Sequence, residues 1–331
     1  MKLDESFLKD KTVLITGGTG TFGNSIIPRL INAKVRQIRI FSRDEDKQYH
    51  MRQRFGEYGS LFSFNLGDVR DYGRLEEVMG GVDLVFHAAA LKHIDTSEFQ
   101  PMEYIKTNLL ATDNLIKAAD KKNVPKVVFI STDKAVKPVN LYGMTKAVSE
   151  KMITAANNYQ RNTTFLCVRY GNVLGSRGSV VPFFKSVIEQ GKPLPITHES
   201  MTRFMLPLKE AMDLVLKAAQ HGKGGELFVK KMPGCKITDL AEAMGQVYTG
   251  KKNYPRQVVG IRPGEKIHET LVSAEEMLRA EEKPLEYVLR NSYANQITAT
   301  TDFQEYNSAN TNQLSVEDIK KMLNDNGWIR E

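Results

Sequence analysis

Thr132, Asp133, Lys134, Tyr142 and Lys146 fall in one short stretch and carry the chemistry of this chain. A Tyr and a Lys four residues apart on a helix share a face. An ammonium there can hold a phenol near ionisation, as a base assisting hydride removal from an alcohol requires. Asp133 and Lys134 add a proton donor and a proton acceptor that alcohol oxidation alone does not use. That surplus points beyond a simple dehydrogenase.

These residues need a strand end, a loop and a helix start to hold them. Short apolar runs at 12–16, 37–41, 62–65, 84–87, 126–131 and 164–168 read as strands. Helical patterns lie between them, for example at 23–31, 104–120 and 141–160. Strands that are continuously apolar and alternate with helices predict a parallel, doubly wound α/β sheet with right-handed crossovers. Ligands bind such sheets at the carboxyl ends of the strands, where 132–134 fall. After Gly171 the pattern loosens, with Gly175, Gly178, Pro182, Pro193, Pro195 and Pro207 interrupting it. The expected division is a dinucleotide-binding domain over 1–175, with 205–230 returning to it, and a smaller substrate lobe over 176–331. Residues 226–229 are the strand expected to rejoin the main sheet.

The first strand runs into Gly17, Thr19, Gly20, Thr21, Phe22 and Gly23, a GxxGxxG variant of the glycine fingerprint. Glycines let backbone approach a pyrophosphate, whose charge a helix N-terminus stabilises. The second strand ends at Ser42, Arg43 and Asp44, with Lys47 close behind. An acid here favours the ribose hydroxyls of NAD, whereas an arginine accommodates the 2′-phosphate of NADP. Arg43, Lys47 and Ser42 favour NADP; Asp44 keeps NAD open. Asp68 and Val69 are expected at the adenine edge, and Ala88, Ala89 and Ala90 where a flat cofactor passes close to backbone.

Bulk composition narrows the class. The chain has 331 residues, 41% hydrophobic and 26% charged, which suits a large folded core. A net charge of +7 spread over short lysine pairs reads as solvated surface, so no nucleic-acid partner is expected. Two cysteines, Cys167 and Cys235, form no ligand cluster, and no metal is expected. The first residues lack the apolar core of a signal peptide, and no run approaches the roughly 18 apolar residues of a membrane span. The expectation is a cytoplasmic protein with no membrane partner.

With these segments in view the chain resembles the extended short-chain dehydrogenase/reductases, and within them the soluble UDP-N-acetylglucosamine 4,6-dehydratases that invert C-5. The likeness rests on Ile15-Thr-Gly-Gly-Thr-Gly-Thr-Phe-Gly23, Ser42-Arg-Asp-Glu-Asp-Lys47, His87-Ala-Ala-Ala-Leu-Lys-His93, Ser131-Thr-Asp-Lys-Ala135 and Asn140-Leu-Tyr-Gly-Met-Thr-Lys146. It continues through Arg169-Tyr-Gly-Asn-Val173, the segment 175–184, Met201-Thr-Arg-Phe204 and Ile261-Arg-Pro-Gly-Glu-Lys266, over most of the chain.

The resemblance implies a Rossmann sheet with a smaller mixed α/β nucleotide-sugar lobe, and a homo-oligomer, hexameric or dimer-based. It implies a role in pseudaminic acid-type pathways. Tyr142, its pKa lowered by Lys146, would take the C-4 hydroxyl proton, with Thr132 bonded near that oxygen. Lys134 would then remove the C-5 proton, and Asp133 would protonate the departing C-6 hydroxyl. Relatives that retain C-5 carry Glu where Lys134 stands. A basic Lys134 must be neutral, which adjacent Asp133 opposes and desolvation favours. Lys92, Asn172, Arg177, Val181, Arg203, Arg262 and Glu265 are the implied UDP-sugar contacts, the arginines gripping pyrophosphate. Asn108 is expected to be a catalytic-loop or helix-bending group, and Gly143-Met144 to affect packing only. Longer membrane-bound relatives have spanning helices and often Met in place of the catalytic Tyr. The rival readings are a C-5 epimerase or 4-reductase acting on the 4-keto-6-deoxy product, and a non-catalytic nucleotide sensor.

Overall fold

A strand buried at every position must have a covering layer on both faces. β1 (Thr12–Thr16) is such a strand. From it the chain runs through α1 (Thr21–Asn32), β2 (Gln37–Ser42), α2 (Glu45–Arg54), β3 (Phe62–Leu66), α3 (Tyr72–Val78) and β4 (Leu84–His87). Two short helices, α4 (Ile94–Phe99) and α5 (Pro101–Tyr104), lead to a π-turn at Ile105–Leu110 and to α6 (Ala111–Lys121). Then come β5 (Lys126–Ile130), one 3-10 turn at Asp133–Ala135, α7 (Leu141–Ala156) and β6 (Thr164–Arg169). This computed structural model describes residues 3–160, 162–176, 178–290 and 303–329.

The helix expected over 104–120 is broken by the π-turn, and Asn108 shows why. Its carbonyl accepts from Thr112 Oγ1 (2.7 Å) and Ser149 Oγ (2.8 Å), and its side-chain amide donates to Leu91 O (2.9 Å) and Thr145 Oγ1 (3.1 Å). These bonds satisfy groups that the widened turn frees, and they tie the loop after β4 to α7. Asn108 is the helix-bending group.

The second half contains α8 (Val180–Glu189), β7 (Leu194–Ile196), β8 (Thr202–Phe204), α9 (Leu208–His221), β9 (Glu226–Lys230), β10 (Gly234–Lys236) and α10 (Ile237–Thr249). After these come β11 (Arg256–Val258), β12 (Thr270–Val272), α11 (Ala274–Met277), β13 (Ala280–Glu282), β14 (Glu286–Arg290), β15 (Tyr306–Asn307) and α12 (Val316–Asp325). Nine strands form the main sheet in the order β13-β14-β9-β6-β5-β4-β1-β2-β3. From β3 to β9 every pairing is parallel. The strand order reverses between β1 and β4, which opens a crevice at their carboxyl ends.

α9 packs on β5, β6 and β9, and β9 pairs with β6. Residues 280–290, assigned to the second lobe on sequence grounds, add β13 and β14 to the main sheet. β14 pairs antiparallel with β9 and closes an edge that would otherwise present unpaired backbone. A second apolar core, including Val181, Phe184, Leu240, Met244 and Leu323, joins α8, α10 and α12 into the smaller lobe. Arg169, at the end of β6, is buried and pairs with Glu150 of α7 and, at 2.8 Å, with Glu276 of α11. It also donates to Leu271 O. Among the described residues no helix is long and apolar enough to cross a membrane.

Candidate active site

The crevice begins at the turn between β1 and α1. Gly17 has φ +64°, and a Cβ there would lie 2.9 Å from the Ala89 backbone. A Cβ on Gly23 would lie 1.8 Å from Gly18 O, so Gly23 sets how closely α1 meets the turn and stands behind the crevice wall. Gly20 N-caps α1 without a side-chain acceptor, and the positive end of the helix favours an anion there. The cradle therefore fits a dinucleotide pyrophosphate.

Gly17, Thr19, Gly20, Thr21 and Phe22 line one continuous cleft of about 1230 Å³. Ser42, Arg43, Asp44, Lys47, Val69 and Ala88 to Ala90 line it beyond the ends of β2, β3 and β4. Asp44 caps α2, accepting from Lys47 N at 2.9 Å, and pairs with the Lys47 side chain. Asp68, expected at the adenine edge, does not line the cleft; its side chain is turned to Arg70 Nε (2.8 Å) and Arg43 (3.6 Å). At the other end lie Lys92, Asn172, Arg203, Arg262 and Glu265. Val181 does not join them: it is buried in the second core, and its neighbour Val180 faces the cleft. A one-residue change of helix register explains the difference. Arg177 lies outside the described residues.

Thr132, Asp133, Lys134, Tyr142 and Lys146 meet at the centre of this cleft. β5 delivers the 3-10 turn. Thr132 Oγ1 donates to Asp133 Oδ1 (2.8 Å), which also accepts from Lys134 Nζ (3.1 Å). Asn140 caps α7 by accepting from Gly143 N (2.8 Å) and anchors it by donating to Gly264 O (2.8 Å). Gly143 permits the contact between α7 and the turn, since a Cβ there would stand 2.2 Å from Lys134 O. Met144 is half exposed, so the packing effect expected of the Gly143-Met144 pair resides in Gly143.

The charges differ from expectation. Burial pushes the Tyr142 phenol up to about 12, against the opposing pull of Lys134 and the nearby Thr132 hydroxyl. Lys146 does not supply that pull. It is itself brought down to about 8 by burial, donates to Ile130 O (2.6 Å) and sits 3.9 Å over the Phe129 ring. Burial also works to lower Lys134, but Asp133 and Glu269 outweigh it and hold its pKa above that of an ordinary lysine. A resting Lys134 is therefore an ammonium, and the neutral base expected of it is not what this geometry holds.

Two buried polar residues, one lining the cleft and one behind its wall, have no expected role in the sequence reading. Glu269 places Oε1 3.5 Å from Lys134 Nζ and 3.9 Å from Arg203 Nε. It lies past the last motif, with no local pattern to flag it. His87, at the end of β4, shares a 2.9 Å hydrogen bond with Thr16 Oγ1 and stacks on Phe129. Burial, helped by Lys146, brings it down to about 3 and keeps it neutral. Its place before Ala88-Ala89-Ala90 in a quoted motif was the available signal.

Residues 13–291 match the family model described as polysaccharide biosynthesis protein. The chain belongs to the polysaccharide biosynthesis protein family. Among relatives of this family member, a protein named UDP-glucose 4-epimerase from Rickettsia canadensis (strain McKiel) is 45% identical, over 97% of this chain and 98% of its own length. One of the same name from Rickettsia felis is 44% identical with the same coverage. The X-ray structure of Pen from Bacillus thuringiensis superposes with a TM-score of 0.91 at 38% identity, covering 98% of this chain and all of Pen. The family member's fold is the Rossmann-like α/β fold of the short-chain dehydrogenase/reductases.

Proposed function

We propose that the protein is a nucleotide-sugar enzyme of the epimerase/dehydratase kind, specifically a UDP-N-acetylglucosamine 4,6-dehydratase that inverts C-5 and uses NADP. The observation that carries the reading is the buried Asp133–Lys134–Glu269 cluster beside Tyr142. Buried charges are costly to desolvate. A 4-epimerase needs only a base at the C-4 oxygen and a hydride carrier, so it gives such a cluster no task. Elimination across C-5 and C-6 needs an acceptor and a donor.

A nicotinamide cofactor held along residues 17–22 and 42–44 would supply hydride transfer at C-4 and C-6 when bound. Tyr142 takes the C-4 hydroxyl proton as the phenolate, a form that the Lys134 charge and the Thr132 hydroxyl favour against burial. The ketone formed at C-4 acidifies the C-5 proton. Asp133 and Lys134 then accept that proton and protonate the leaving C-6 oxygen. Because Lys134 is an ammonium paired with a carboxylate, it suits the donor's part and Asp133 the acceptor's, the reverse of what the resemblance implies. Arg203 and Arg262 would hold the diphosphate. NADP is favoured because the Arg43 side chain is 48% exposed beside Ser42, while Asp44 is engaged as a helix cap.

The second reading is UDP-sugar 4-epimerisation, favoured by the names of relatives 43–45% identical over nearly the whole chain. Mass spectrometry of pure protein incubated with UDP-N-acetylglucosamine separates the two. A product lighter by one water supports the dehydratase; an isomer of unchanged mass supports the epimerase and overturns the proposal.

A further inference from the structure

Glu269 is 4% exposed and firmly held: its N–H donates to Ser308 Oγ (3.0 Å), its carbonyl accepts from Ser308 N (2.8 Å), and Ser308 Oγ also bonds Thr202 Oγ1 (2.6 Å). Oε1 faces Lys134 and Arg203, while Oε2 is buried without a partner in the cleft wall. Asp133 Oδ2 is likewise buried and unpaired. Unpaired buried acceptors are expensive. Both belong to the carboxylates that flank the Lys134 ammonium, so the cluster holds more acceptors than its own donors satisfy.

We propose that Glu269 is a positioning residue of the reacting centre, holding Lys134 through Oε1 as an ammonium against Asp133, so that Lys134 enters the reaction as the proton donor. The groups facing Lys134 are Asp133 from its own turn, Tyr142 from α7, Arg203 from β8, and Glu269 and Lys266 from the segment before β12. The two carboxylates set the balance against the two cations.

The step served rests on the dehydratase reading. The C-5–H bond breaks, and its proton passes to the Asp133 carboxylate. The electron pair forms the C-5=C-6 double bond as the C-6–O bond breaks, and the leaving oxygen takes a proton from Lys134 and departs as water. The proton on Asp133 then returns to the neutral amine 3.1 Å away, restoring the ion pair.

Competitive amine labelling of the unliganded protein across a pH series, read by mass spectrometry at Lys134, tests the inference without assuming a substrate. Wild-type Lys134 is expected to titrate above an ordinary lysine, about 10.4. Glu269→Gln should lower that midpoint by roughly 1–3 units, and Glu269→Asp should restore most of it. The alkaline limb of kcat/KM for UDP-N-acetylglucosamine should move down with the Gln variant, with KM changing less than kcat. A wild-type midpoint below an ordinary lysine would overturn the proposal even if the Gln variant does not fold. So would an unmoved midpoint in a folded Gln variant, or a Gln variant faster than wild type at neutral pH. Failure of the wild type to release water would sink the dehydratase reading alone, since the labelling result stands apart from it.

Discussion

Tyr142 and Lys146 carry opposite consequences for activity and stability. Tyr142→Phe removes the acceptor of the C-4 hydroxyl proton and should cut kcat by about 10²–10⁴-fold, with the thermal midpoint close to wild type. Lys146 has a folded pKa of about 8, below the 10.5 of a free lysine. Between those values the unfolded chain binds more protons, so this group's contribution to stability rises from pH 8 to 10.5 and is lost on going back down. At neutral pH the buried ammonium is a burden. Lys146→Met should therefore raise Tm at pH 7 by roughly 2–4 °C, which calorimetry would read. At the cofactor end, Arg43→Ala should weaken NADP about tenfold and leave NAD little changed, as fluorescence titration would measure. Thr132, Asp133, Lys134, Tyr142 and Lys146 were legible because one strand end, one turn and one helix carry them all. Glu269 was not, because only the folded chain brings it to Lys134. The charge on Lys134 was likewise hidden: without its second carboxylate, the sequence left desolvation and Asp133 as opposing effects of undecided balance.

At the scale of elements, the contact between α7 and the 3-10 turn is the device that aligns the reacting groups. Gly143→Ala places a methyl against Lys134 O and must push the turn away from α7. Overpacking of this kind costs about 1–3 kcal/mol. Kinetics should show kcat falling at least tenfold, because Lys134 and Asp133 move relative to Tyr142. The central strands were legible, being apolar throughout and bounded by turns. The β13–β14 hairpin was not, since Ala280–Glu282 carries two acids and reads as loop until its pairing with β14 is known. Val181 was misplaced for a related reason: a residue number does not state which face of α8 looks inward.

Across the whole molecule, one buried arginine links the main sheet, α7 and the C-terminal segments. Arg169→Met would strand Glu150 and Glu276 without their cation. Losing one partner of a buried ion pair costs about 3–5 kcal/mol, so urea unfolding should show a loss of that order. Glu150 lies one turn beyond Lys146, so the site should loosen as well. The doubly wound sheet and its crevice were legible from strand–helix alternation, whereas this long-range clamp joins segments whose contact no local pattern encodes. The most direct test of the account is proton NMR of the protein turning over UDP-N-acetylglucosamine in D₂O. Elimination across C-5 and C-6 predicts a new C-6 methyl signal beside a C-4 ketone, with deuterium at C-5. An intact C-6 hydroxymethyl group with inverted C-4 would contradict it.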